Sequence, residues 1–140
     1  MINNSWLDST VAPTDVLISA ILPSAGANIL MKKDTLNWGT HEYNFFRALR
    51  ALAPQGMRLL DLGAGRCWSS KWQALSGAEV VAFDAMEHET LGLGAGSVFM
   101  RNHGIFFDRV SGDFNFLPFR DGAFDAVFVS GALHHSSDPE

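Results

Sequence analysis

Three aspartates and two histidines stand at or just after the ends of apolar runs that are predicted to form β-strands. Asp61, Asp84 and Asp113 stand at or beside the ends of the first three runs, and His134 and His135 follow the fourth. Ligands of open α/β sheets bind at the carboxyl ends of the strands, so these side chains are expected to meet along one edge. Carboxylates accept charge-assisted hydrogen bonds from hydroxyls and amines. The sequence therefore predicts a ligand site at that edge.

A glycine turn directly follows the first of these runs. In Gly63-Ala64-Gly65, two glycines separated by one residue let the backbone turn sharply and approach a ligand. Asp84 lies 21 positions after Gly63. An acid at about this distance, at the end of the second strand, is placed to accept hydrogen bonds from ribose hydroxyls. The alternative is an ordinary strand-end acid in a turn, but the spacing favours a nucleotide-type ligand.

Two residues around the turn distinguish between nucleotides. A dinucleotide fingerprint, G-x-G-x-x-G, would place its third glycine at position 68, which is Trp68 here. Asp61, two residues before Gly63, would repel a pyrophosphate at a helix N-terminus but attract a cationic amine. These residues disfavour an NAD-dependent oxidoreductase and favour a ligand in which adenosine is joined to an amino acid.

The elements around the turn predict a βαβ unit. A strand over Met57–Leu62, a helix over Cys67–Leu75 and a strand over Glu79–Phe83 fit into fewer than 30 residues. Such crossovers give parallel strands. Before them, a helix is predicted over Thr40–Ala53, capped by Thr40 and stopped by Pro54. Its apolar face is expected to pack on the sheet and comprises Phe45, Phe46, Leu49, Leu52 and Ala53.

The second half of the chain predicts two further strands, over Ile105–Val110 and Ala123–Ser130. Between the second and third strands we expect one or two helical turns over Met86–Leu91, a flexible loop over Gly92–Gly96, and a short helix over Ser97–His103. The whole pattern predicts an α/β, Rossmann-like, doubly wound and mostly parallel sheet with flanking helices.

Composition narrows the class of protein. The length of 140 residues favours one globular domain, and the one cysteine fits a reducing compartment. The net charge of −5 disfavours the basic surface stripe typical of nucleic-acid-binding proteins. Residues 1–37 are expected to form an N-terminal segment with a short helix over Thr14–Leu22, and residues 38–140 the ligand-binding domain. The apolar stretch Val16–Leu22 is too short to cross a bilayer, so a cytoplasmic location is expected. The oligomeric state is left open.

Five short motifs, in order and at the right spacing, carry a family resemblance. They are DLGAG at 61–65, FD at 83–84, GDF at 112–114, LPFRDGAFDAV at 117–127 and ALHH at 132–135. Together they resemble class I S-adenosylmethionine-dependent methyltransferases, above all the type 11 branch that includes UbiE-like and sterol methyltransferases. The resemblance covers roughly residues 40–140. It implies S-adenosylmethionine as cofactor and a small-molecule acceptor. No metal is expected, because neighbouring histidines on a helix, His134 and His135, point about 100° apart and no third ligand is evident.

The resemblance also implies roles for the matching residues. Asp84 would bind the ribose, Asp113 would accept from the adenine amino group, and the backbone N–H of Phe114 would contact the adenine ring. Asp61 would lie near the methionine amino group, directly or through water. The turn residues that would line the methionine part of the cofactor are Gly63, Ala64 and Gly65.

Three points stay open at the level of the sequence. His134 and His135 are candidates for a base near the acceptor, with loop or helix-cap roles as the alternative. Cys67 replaces the usual third small residue of the glycine motif; a helix start would lower its thiol pKa, but no base adjoins it, so a structural role is favoured.

The family fold has seven strands, three of which would follow residue 140. The chain is therefore expected to be the N-terminal part of a longer product, or a degenerate copy that binds cofactor or a protein partner without turnover.

Overall fold

A computed structural model describes residues 36–137 of the chain. The helix expected over Thr14–Leu22 lies outside the described residues, and the domain boundary at residue 38 stays a prediction. The described elements, in chain order, are helix α1 (Leu36–Leu52), strand β1 (Arg58–Leu62), helix α2 (Trp68–Leu75), strand β2 (Glu79–Asp84), a 3₁₀ turn (Leu93–Ala95), helix α3 (Gly96–His103), strand β3 (Asp108–Ser111), strand β4 (Ala126–Val129) and a second 3₁₀ turn (Leu133–His135).

The four strands form one parallel sheet in the order β3-β2-β1-β4. Leu60 of β1 stands in register with Val81 of β2 on one side and with Val127 of β4 on the other. The chain first builds outward from β1 through β2 to β3 and then returns to the opposite side of β1. This reversal is the switch point at which doubly wound folds bind ligands. The predicted fold class is confirmed.

Successive strand residues point to opposite faces of the sheet, so each strand supplies two separate cores. On one face, Leu59 and Val80 are buried with Leu75 of α2. On the other face, Leu60 and Phe83 are buried, and three aromatic side chains from the segment between β3 and β4 pack against that cluster: Phe114, Phe119 and Phe124. The segment between β3 and β4 is therefore anchored to this face of the sheet by its aromatic side chains.

Helix α1 confirms part of its predicted apolar face. Phe45, Phe46 and Leu49 are buried and pack against the partly buried Trp68 and Trp72 of α2. The expectation for the end of the face was wrong. Leu52 and Ala53 are exposed, because the helix ends at Leu52 and Ala53 takes a left-handed conformation with φ of 48°. Thr40 was also wrong as a cap, since it lies inside the helix.

The segment between β2 and α3 differs from the prediction. Met86–Leu91 is a loop with a turn rather than a helical segment, because the His88 ring Nδ1 accepts hydrogen bonds from the backbone N–H groups of Thr90 and Leu91. The glycines that follow do not make a free loop, since Leu93–Ala95 forms a 3₁₀ turn that runs into α3. A Cβ on Gly92 would lie 2.1 Å from the Met86 carbonyl oxygen, so this glycine permits close packing.

The last two strands are shorter than expected, at four residues each. Ile105 and Phe107 precede β3 and are buried in the core of the first sheet face. The apolar run therefore predicts burial correctly, but it overestimates the length of the segment that pairs with β2. The helix expected over Ser97–His103 is confirmed and begins one residue earlier, at Gly96.

Candidate cofactor site at the carboxyl edge of the sheet

A cavity of about 840 Å³ opens at the carboxyl ends of the strands. All four strands contribute to its lining through the residues that end or follow them. The lining consists of Gly63, Asp84, Ala85, Met86, Gly112, Asp113, Phe114, Asn115, Gly131, Ala132 and His135. Of the residues singled out in the sequence, five meet here, while Asp61, Ala64, Gly65 and His134 are not part of the lining.

The glycine turn is held tightly between the strands. The backbone N–H groups of Gly63 and Ala64 both donate to the carbonyl oxygen of Phe83, at 2.8 and 3.0 Å. Gly63 has a φ of 81°, and a Cβ there would lie 2.2 Å from Ala132 Cβ and 3.0 Å from the Phe114 ring. Two walls of the cavity thus close on this glycine, and only a residue without a side chain fits between them.

Asp84 fastens the turn to the end of β2. Its Oδ2 accepts from the backbone N–H of Gly65 at 2.9 Å, and its Oδ1 accepts from the N–H of Met86 at 2.9 Å. Each carboxylate oxygen has two lone pairs, so both atoms retain acceptor capacity towards the cavity. Asp84 can therefore hold the turn and a bound hydroxyl group at the same time.

Asp61 lies beneath the turn and is only 1% exposed. One of its oxygens accepts hydrogen bonds from the Ser69 and Ser70 hydroxyls, at 2.6 and 2.5 Å. These serines stand in the first turn of α2, whose N-cap residue, Cys67, makes no side-chain capping hydrogen bond. A carboxylate placed at a helix N-terminus stabilises it. Asp61 therefore anchors α2 to β1, and the serine pair after the turn was the signal for this contact that sequence reasoning missed.

Burial raises the pKa of Asp61 to about 6 from an ordinary value of 3.8, against the opposing effect of the serine hydrogen bonds. The folded state therefore binds this proton more tightly than the unfolded state. The resulting stabilisation is fully present below pH 4 and is lost as the pH rises through 6. Two pKa units correspond to about 3 kcal/mol.

An Asp61→Asn variant is expected to lack this pH dependence. The amide keeps a hydrogen-bond acceptor for the serines and carries no charge to desolvate. Urea unfolding at pH 4 and pH 7 should show that the wild-type chain loses up to about 3 kcal/mol more stability between the two values than the variant does. Equal losses in both proteins would show that another group governs this pH range.

The segment after β3 supplies the opposite side of the cavity. Asp113 Oδ1 accepts from the backbone N–H and the side-chain Nδ2 of Asn115, at 2.8 and 2.7 Å. The Phe114 ring packs edge-on against Phe83, with centroids 6.2 Å apart, and lies 6.4 Å from the ring of His135. A carboxylate and an aromatic face thus stand side by side at the cavity.

The two histidines occupy the 3₁₀ turn after β4 and have different positions. Their ring centroids are 4.0 Å apart, and only His135 lines the cavity. Within residues 36–137 there is no group of three or more His, Cys, Asp or Glu side chains that could hold a metal ion. A role for either histidine as a base stays a prediction.

Cys67 has the properties of a structural residue. It is fully buried, and burial raises the pKa of its thiol to about 12, contrary to the lowering expected at a helix start. Its φ of 60° is left-handed, a conformation that favours glycine. The position thus requires a small side chain and a backbone form that cysteine adopts at some cost.

Residues 60–140 match a family model described as a methyltransferase domain, of type 11. The chain belongs to this family. The predicted resemblance to type 11, class I S-adenosylmethionine-dependent methyltransferases is confirmed. Within the described residues, the structure contains no helix with the length and apolar character needed to cross a membrane.

Curated relatives and a solved structure agree with this assignment. The chain is 38% identical over 88 residues to a demethylmenaquinone methyltransferase of Renibacterium salmoninarum, covering 63% of this chain and 34% of the relative. It is 43% identical over 94 residues to one of Clavibacter sepedonicus, covering 64% and 36%. The chain thus spans about a third of the length of these relatives. The YcgJ protein of Bacillus subtilis has a similar structure, with a TM-score of 0.60 and 25% identity, over 70% of this chain and 42% of that one.

Proposed function

We propose that this chain binds S-adenosylmethionine in the cavity at the carboxyl edge and serves methyl transfer to a small-molecule acceptor. The observation that carries the proposal is the convergence of Gly63, Asp84, Asp113 and Phe114 on one cavity, from the ends of three different strands. The family to which the chain belongs supports the same conclusion.

The residues present fit this cofactor in shape and in chemistry. Asp84, Asp113 and Phe114 all line the cavity, so that Asp84 would accept from the ribose hydroxyls and Asp113 from the adenine amino group beside the Phe114 ring. Gly63 lines the cavity without a side chain of its own, which favours a close approach by the methionine part. The two carboxylates also favour a ligand with a positive charge.

The chemistry requires orientation more than activation. S-adenosylmethionine supplies a methyl group on a sulfonium, which is reactive by itself. The chain contributes by holding the donor in one position relative to the acceptor. Asp61 serves this purpose through helix α2, because one oxygen of its carboxylate accepts from the hydroxyls of Ser69 and Ser70.

We extend the proposal to an acceptor with an aromatic, apolar body. The curated relatives carry the name of demethylmenaquinone as their substrate. Among the lining residues and their neighbours in sequence, three large apolar side chains are exposed: Met86 at 51%, Phe116 at 80% and Leu133 at 53%. Exposed apolar side chains around a polar cleft are a feature of binding sites for apolar molecules.

Thermal unfolding with two ligands tests the proposed function. S-adenosylhomocysteine at about 100 times its Kd should stabilise the chain by about 2.7 kcal/mol, which raises Tm by about 10 °C. NAD at the same concentration should leave Tm unchanged, because Trp68 and the buried Asp61 do not fit a pyrophosphate site. Stabilisation by NAD alone would contradict the proposal and favour a dinucleotide enzyme.

A further inference from the structure

The side chain of Asn115 connects two walls of the cavity that come from different strands. The first, here called the β3 wall, is residues 112–115, and the second, the β4 wall, is residues 131–137. Asn115 Nδ2 donates to Asp113 Oδ1 at 2.7 Å. Asn115 Oδ1 accepts from the backbone N–H and the hydroxyl of Ser137, at 2.9 and 2.7 Å, and more distantly from the Ser136 hydroxyl at 3.4 Å.

The two ends of this amide serve different parts of the site. The nitrogen end holds one oxygen of Asp113, which leaves the other oxygen available to a ligand. The oxygen end holds the segment that directly follows His135, a residue of the cavity lining. A side-chain amide offers a donor and an acceptor a few ångströms apart without a net charge. Alanine would lose both contacts, and aspartate would place a second carboxylate against Asp113.

We propose that Asn115 is a positioning residue that couples cofactor binding at the β3 wall to the order of the β4 wall. This rests on the proposed function. A ligand group that binds Asp113 fixes the carboxylate, the fixed carboxylate orients the Asn115 amide, and the amide holds Ser137 and the turn that bears His135. Coupling between two sites is reciprocal. If bound cofactor favours the ordered β4 wall by a given factor, an ordered β4 wall raises the affinity for the cofactor by the same factor.

Local hydrogen bonds hold each wall separately, for example Asn115 N–H to Asp113 Oδ1 and His135 N–H to the Ala132 carbonyl oxygen, and the Asn115–Ser137 contact adds a long-range link between the two walls. Asn115 and Ser137 are 22 residues apart, and both lie at the surface, so water competes for these hydrogen bonds. Each such bond is worth about 1 kcal/mol net, which is about a fivefold change in affinity. The Asn115–Ser137 contact is therefore strong enough to change the position of the β4 wall, and weak enough that its formation depends on whether a ligand is bound.

Hydrogen exchange on millisecond timescales, read by mass spectrometry on the full chain, tests the coupling. In the wild-type chain, saturating S-adenosylhomocysteine should slow exchange at residues 84–86, 112–115 and 131–137. In Asn115→Ala, the ligand should still slow exchange at residues 84–86 but no longer at residues 131–137. The affinity for S-adenosylhomocysteine should be about fivefold lower. Asn115→Asp should behave like the alanine variant at pH 7, because it repels Asp113.

Asn102→Ala is the matched control, since Asn102 is exposed on α3 and is not part of the cavity lining. It should retain all three regions of slowed exchange. Slowing at 131–137 in Asn115→Ala equal to that of the wild-type chain would overturn the coupling while leaving the cofactor site intact. A wild-type chain without slowing at 84–86 would instead refute the proposed function, and the coupling with it.

Discussion

A Gly63→Ala variant is expected to lose about 2–5 kcal/mol of stability, a large share of the 5–15 kcal/mol typical of a whole domain. The added Cβ would stand 2.2 Å from that of Ala132 at a φ of 81°. The left-handed backbone contributes about 1–2 kcal/mol, and overpacking contributes about 1–3 kcal/mol. Urea unfolding followed by tryptophan fluorescence measures the loss.

Gly65→Ala provides the control for this prediction. Gly65 also has a positive φ, of 50°, but apart from its own chain neighbours a Cβ there would have no heavy atom of the described residues within 4 Å. This variant should therefore lose only the backbone contribution of about 1–2 kcal/mol. Equal losses in the two variants would contradict the view that the cavity walls close on Gly63.

An Asp84→Ala variant is expected to bind S-adenosylhomocysteine about 100-fold more weakly than the wild-type chain. Alanine removes both carboxylate oxygens that we propose as acceptors for the ribose hydroxyls, and each charge-assisted hydrogen bond contributes about 1.5–3 kcal/mol. It also frees the N–H of Gly65, which Asp84 holds at 2.9 Å. Calorimetric titration measures the change in affinity.

Asp125→Ala is the matched control at the opposite edge of the sheet. Asp125 Oδ2 accepts from the N–H of Arg58 at the start of β1, at 2.7 Å, away from the cavity. Its replacement should lower stability and leave the affinity of the folded chain for S-adenosylhomocysteine unchanged. An Asp84→Ala variant that binds as tightly as Asp125→Ala would argue against a ribose contact.

Local sequence patterns were sufficient to predict the central elements of the fold. β1, α2 and β2 were predicted within one residue at each end, because a buried strand, a glycine turn and the next strand are specified by contiguous residues. The strand ends then place Asp84 and Asp113 at one edge by topology alone. This is why the cavity and several of its lining residues could be anticipated without coordinates.

Contacts between distant residues could not be read in the same way. Asp61 lies in β1, directly before the turn, yet whether its side chain faces the cavity or α2 depends on how the helix packs. In the structure, Ser69 and Ser70 of α2 both donate to one of its oxygens. The link between Asn115 and Ser137 spans 22 residues and has no local pattern. Met86–Leu91 had a helical composition, but the His88 ring stabilises a turn instead.

The central claim is that S-adenosylmethionine lies against the β3 wall and the end of β2. Ultraviolet cross-linking of methyl-labelled S-adenosylmethionine to the full chain, followed by proteolysis and mass spectrometry, tests it most directly. We expect the label within residues 84–86 or 112–115, and its loss when excess S-adenosylhomocysteine is present. Saturable label confined to the groove between α1 and β4, around Phe45, Leu59 and Phe128, would contradict the account.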